Sequence, residues 1–130
     1  MNFALMIVET LYANQTIRSI VNDRLMAYTE PKDKSGAFII VAPVSPASAE
    51  AAASDNFLAE RQHMQIDVQG TNHTEVDAVA REIRKVMHQE FNMTATDDGL
   101  DTFFEETSRF LVSRNYIGIP NKLNYKSKLI

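Results

Sequence analysis

Residues 64–87 read MQIDVQGTNHTEVDAVAREIRKVM: an alternating segment, a glycine and a one-sided segment in unbroken succession. Apolar Met64, Ile66 and Val68 alternate with polar Gln65, Asp67 and Gln69, which is the period of a strand with one buried face. Gly70 ends it. Val76, Val79, Ala80, Ile83, Val86 and Met87 then recur at three- and four-residue spacing, with Asp77, Arg81, Glu82 and Lys85 on the opposite side. This spacing predicts a helix over residues 74–90, opened by Thr74 and Asp77 in the manner of a capping box. A strand, a corner and a helix whose apolar faces can meet specify architecture, and they contain no evident catalytic residue.

Working outward toward the N-terminus, the strand extends back to Asn56. Before it, residues 43–55 are rich in Pro, Ser and Ala and have little to bury, so they read as a long mobile loop with at most a helical turn near residues 49–53. Two apolar runs precede the loop, residues 24–28 and 37–42, separated by the turn-forming residues 31–36. They are expected to form a hairpin. Residues 2–11, with Phe3, Met6, Ile7, Thr10 and Leu11 on one side and Asn2 as N-cap, predict a first helix ending near Asn14. Ile17, Ile20 and Val21 look like a packed connector.

Toward the C-terminus, residues 91–95 are a strand candidate, residues 97–101 (Asp-Asp-Gly-Leu-Asp) an acidic turn, and residues 109–117 a last strand ended by Gly118 and Pro120. The expected fold is therefore α+β: a mainly antiparallel sheet of four to five strands with helices packed on one face. A chain of 130 residues, 45% apolar and 23% charged, suits a single ordered domain spanning residues 1–130, with a basic tail over residues 118–130.

The charge is unevenly placed. Up to Ser108 there are 17 acidic and 8 basic residues, net −9, and from Arg109 onward there are only cations, net +5. An acidic body with a basic tail can join copies head to tail, or set the tail against nucleic acid or an acidic partner. The absence of cysteine excludes a disulfide framework, a thiol nucleophile and thiolate zinc sites. Residues 1–8 are apolar but lack a basic start, and Glu9 interrupts them, so neither a signal segment nor a membrane span is expected and the protein reads as intracellular.

Few constellations suggest chemistry. His63, His73 and His88 share no helical spacing that would hold a metal. Asp98, Gly99 and Glu105 match three positions of a calcium loop, but Thr94 and Thr96 stand where its first carboxylates belong. The four glycines, Gly36, Gly70, Gly99 and Gly118, form no phosphate loop, and Tyr125 among the tail lysines is a poor stacking platform for nucleic acid. No catalytic residue, metal or cofactor is assigned.

The pieces, in order, resemble the small tail-completion proteins of long-tailed phages, also called tail terminators or head-tail joining proteins. The resemblance spans residues 20–117. It rests on Arg24-Leu25-Met26-Ala27-Tyr28-Thr29-Glu30-Pro31 with the run ending Val41-Ala42-Pro43, the long loop, Met64-Gln65-Ile66-Asp67-Val68-Gln69-Gly70, the amphipathic helix, and Thr107-Ser108-Arg109-Phe110 through Tyr116. It implies a non-enzymatic virion protein, made in the host cytoplasm and placed at the head-tail junction. Such a subunit would form a homo-oligomeric ring, commonly a hexamer, that caps the tail-tube protein and meets the head connector or stopper protein. DNA would have room to pass through such a ring, but neither specific nucleic-acid binding nor a membrane is implied. The candidate interface residues are then Gln65, Asp67 and Gln69 on the strand's polar face, the acidic Asp97, Asp98, Glu105 and Glu106, and the basic Arg109, Arg114, Lys122, Lys126 and Lys128. The alternatives are a head-closing stopper of similar size and a small intracellular binding module, whose mark would be convergent polar groups in a concave site.

Overall fold

The computed structural model describes residues 2–44, 48–49 and 60–120; the expectations for most of the 43–55 loop and for the tail beyond Pro120 lie outside the described residues. Three helices, α1 (Phe3–Ala13), α2 (Gln15–Val21) and α3 (His73–Phe91), accompany strands β1 (Leu25–Ala27), β2 (Phe38–Pro43), β3 (Ser48–Ala49), β4 (Glu60–Gly70), β5 (Thr94–Phe104) and β6 (Arg109–Gly118). The main sheet runs β1-β2-β4-β6-β5, with β3 flanking β4. All its pairings are antiparallel except β1 with β2. The α+β class and the mainly antiparallel sheet are as the sequence predicts.

The alternation of β4 sets the core. Met64, Ile66 and Val68 are buried while Gln65, Asp67 and Gln69 are half-buried on the other face. The register brings Val41 beside Ile66, Ile39 beside Val68, and Tyr116 and Val112 of β6 beside Met64 and Val68. Onto this face α3 lays Val76, Val79, Ile83, Val86, Met87 and Phe91, all buried. Each such side chain contributes roughly 1.5–3 kcal/mol on burial. α1 and α2 complete the layer with Phe3, Met6, Ile7, Leu11, Ile17 and Val21, and Phe3 meets Phe91 edge-on at 5.4 Å.

Helix ends follow side-chain chemistry. Asn2 caps α1, its Oδ1 accepting from Leu5 N–H at 3.1 Å, as expected. Asn14 ends α1 and starts α2, accepting from Ile17 N–H at 3.0 Å, so the expected connector is a short helix. The cap of α3 is Asn72 and not Thr74: Asn72 Oδ1 accepts from Glu75 N–H at 3.2 Å, and the helix begins at His73. Asparagine reaches the free N–H groups two residues earlier than the capping box would. Asn92, left-handed at φ 54°, closes the helix, with Met93 N–H donating to Met87 O at 3.1 Å.

Four further expectations need correction. β1 and β2 are parallel and not a hairpin, because Tyr28 turns left-handed (φ 73°) and the chain returns to enter β2 beside the start of β1. Arg24 pins that return, its Nε donating to Ala37 O at 2.9 Å, and Ile39 N–H donates to Arg24 O at 3.0 Å. Phe91 belongs to α3, so the strand expected over 91–95 starts only at Thr94. It continues through the acidic segment, which is therefore strand and not turn; the reversal comes at residues 105–108, where Ser108 has φ 54°. Finally, the 43–55 segment is not all loop: Pro43 ends β2, and Ser48 and Ala49 pair with Arg61 and Glu60.

Candidate interaction surfaces

β5 is built by its partner. Eight of its residues match β6 in register, and the ladder breaks only between Ala95 and Gly99, where Thr96, Asp97 and Asp98 bulge out. Thr96 Oγ1 accepts from Asp98 N–H at 3.2 Å, so the two carboxylates sit on an ordered protrusion while pairing resumes at Gly99. Because β5 ends the strand order, its outer edge has no strand partner among the described residues along its 11-residue length. Leu100, Phe103 and Phe104 beside that edge are 54%, 45% and 42% exposed. An open edge with apolar side chains is a template for another strand.

The acidic candidates gather here. Asp97 and Asp98 lie in the bulge, Glu105 and Glu106 at the hairpin turn, and all four are exposed. Arg114, on β6 beside Gly99, is not free: its Nη1 and Nη2 donate to the two oxygens of Asp101 at 2.6 and 3.0 Å. That hydrogen-bonded guanidinium holds the Asp101 carboxyl below the usual carboxylate range, and the carboxylate raises Arg114 in return. Arg109 is also occupied, its guanidinium 5.5 Å from the centre of the Phe38 ring and its Nη2 donating to Lys34 O at 3.0 Å. Lys122, Lys126 and Lys128 lie outside the described residues.

Gln65, Asp67 and Gln69 share the sheet face away from the helices with Asn115, Ser113 and Leu111 of β6. Gln65 Nε2 donates to both Asp67 oxygens at 3.0 and 3.2 Å. His63 belongs to the same face, as its alternation predicts, and its Nε2 is buried without a hydrogen-bond partner among the described residues. The sequence candidates are thus divided: Arg109 with the β4 polar row on one face, Arg114 on the helix side, and the acidic residues at the β5 edge.

On the helix side a groove of about 580 Å³ runs between α3 and the β5–β6 hairpin. His73 and Phe103 flank Phe110 at ring distances of 5.0 and 4.8 Å, and Arg81 pairs with Asp77 at 2.8 Å. Arg84 also lines the groove, and Asp101, held ionised by Arg114, is poorly suited to proton transfer at neutral pH. Tyr116, at the groove's floor, has its phenol pushed up to about 12 by burial. Among the described residues no helix is long and apolar enough to cross a membrane.

Sequence reasoning missed the apolar edge. Leu100, Thr102 and Phe104 alternate with Asp101 and Phe103, a strand signal masked by the acidic composition of residues 97–101.

No protein-family model matches the chain. No curated protein matches it either. In fold it is similar to a chain of a solved structure described as the virion of a native gene transfer agent (GTA) particle, with a TM-score of 0.60, 10% sequence identity, and coverage of 85% of this chain and 88% of that one.

Proposed function

We propose that this protein is a structural virion subunit, a tail-completion or tail-terminator protein that assembles with copies of itself into a ring, commonly of six. The ring would cap the tail tube and meet the head connector. The observation that carries this reading is the fold shared, over most of both chains, with a component of a gene transfer agent virion. Its support from the molecule itself is an open, apolar β5 edge at one side of a rigid sheet, the kind of surface that joins subunits. The role needs contact surfaces and not an active site.

Light scattering on the purified protein over a range of concentrations, alone and with tail-tube protein, tests the reading, with negative-stain imaging to count subunits. A discrete ring that adds to the end of tubes is expected. A protein that stays monomeric and never engages tube or connector protein would refute it.

A further inference from the structure

The chain leaves the sheet after Gly118, and beyond Pro120 residues 121–130 follow with the sequence NKLNYKSKLI. In it Lys122, Asn124, Lys126 and Lys128 alternate with Leu123, Tyr125, Ser127 and Leu129, a strand period with one basic and one mainly apolar face. The β5 edge is complementary in both respects. Residues 94–108 hold Asp97, Asp98, Asp101, Glu105 and Glu106 and no cation, while Leu100, Phe103 and Phe104 stand exposed along them.

Resting on the ring reading, we infer that residues 121–130 of one copy add as a strand to the outer edge of β5 in a neighbouring copy. Backbone pairing would satisfy the open edge, the lysines would meet the bulge and turn carboxylates, and the tail's apolar residues would cover Leu100 and Phe104, which share one face of β5. The same chain's own edge is the poorer host. To reach it the tail would have to cross the entry of β5, where a Cβ on Gly118 would lie 2.6 Å from Asn92 O and Asn92 Nδ2 reaches Ile119 O at 3.5 Å. It would then run parallel to β5, the weaker pairing, whereas a neighbour's tail can approach antiparallel. Donor and acceptor surfaces differ, so the contact is head to tail and closes a ring when the rotation permits.

The experiment uses the full chain. Protein at assembling concentrations, with tail-tube protein present in a parallel sample, is treated with a carbodiimide that joins lysine directly to carboxylate, then separated under denaturing conditions. Peptides linking Lys122, Lys126 or Lys128 to the carboxylates of residues 97–106 are expected in the cross-linked dimer band and not in the monomer band. The variant K122E/K126E/K128E should lose these links and need about tenfold more protein to half-assemble, as three exposed ion pairs of modest strength imply. Adding D97K/D98K/E105K/E106K to it should restore assembly. Links confined to the monomer band would mean that the tail folds onto its own chain, overturning the inference. An oligomer without such links would overturn it while leaving the ring reading intact. A monomer under every condition would overturn both.

Discussion

Ile83 stands at the centre of the contact between α3 and the sheet, and its truncation measures what that contact contributes. It is 1% exposed. With Ile66, Val68, Val112 and Tyr116 it borders a gap that has no room for a water molecule, so a shortened side chain leaves space that the rigid strands cannot refill. Ile83→Ala removes three carbon groups, each worth about 0.8 kcal/mol in transfer, hence about 2.4 kcal/mol before any cavity. The residual cavity raises the expected loss to roughly 3–4 kcal/mol. For a chain of this size that lowers Tm by about 12–16 °C. Urea unfolding followed by circular dichroism in dilute protein, where assembly adds no stability, should show a lower midpoint with an unchanged slope. Leu100→Ala is the control: at 54% exposure on the β5 edge it should change stability by no more than about 0.5 kcal/mol. If Ile83→Ala costs less than about 1 kcal/mol, or no more than the control, then α3 does not press its apolar face on the sheet as described.

Asn72→Ala should cost about 1 kcal/mol by removing the α3 cap, whereas Thr74→Ala should stay within about 0.5 kcal/mol; the reverse order in chemical denaturation would restore the capping box. Gly118→Ala should destabilise by about 1–3 kcal/mol, since the new Cβ would lie 2.6 Å from the backbone oxygen of Asn92; an unchanged Tm would refute the close approach of β6 to the end of α3. Burial raises the Tyr116 phenol to about 12, above its value in the unfolded chain, so this contribution is fully present below about pH 10 and is lost as pH rises through the folded value. Tyr116→Phe should therefore lose less stability between pH 9 and pH 11.5 than the parent protein does, and equal losses would show that Tyr116 is not the group responsible.

Where a residue's surroundings are local, the fold was readable in advance. The N-cap at Asn2 and the buried rows of β4 and α3 depend on spacing within a few residues. Strand direction does not: Leu25 and Ala27 face the core whether β1 runs with β2 or against it, so alternation left their orientation open, and the left-handed turn at Tyr28 with the Arg24 clasp decided it. The acidic segment was misread for a related reason. Asp97, Asp98 and Gly99 are turn formers by composition, but pairing with β6 supplies the backbone bonds that keep the strand going, and a bulge carries the two carboxylates outward.

The candidate surface was readable in its parts and not in its assembly. Charge polarity singled out the acidic residues and the basic tail, whereas Arg109 and Arg114 turned out to be occupied within the subunit, by Phe38 and Lys34 and by Asp101. An ion pair between residues 13 apart is set by register and bulge position, which no short window contains.

By itself the sequence determined which residues of β4 and α3 face the core and that helices and strands share it, because periodicity and composition are local properties of a chain seeking to bury apolar area. Only the tertiary structure decided which strands are neighbours, which run parallel, and that β5 stands at the sheet's margin with Leu100, Phe103 and Phe104 exposed. Edges exist only once every strand has chosen its partners, so the surface on which the proposed assembly depends is a property of the completed sheet.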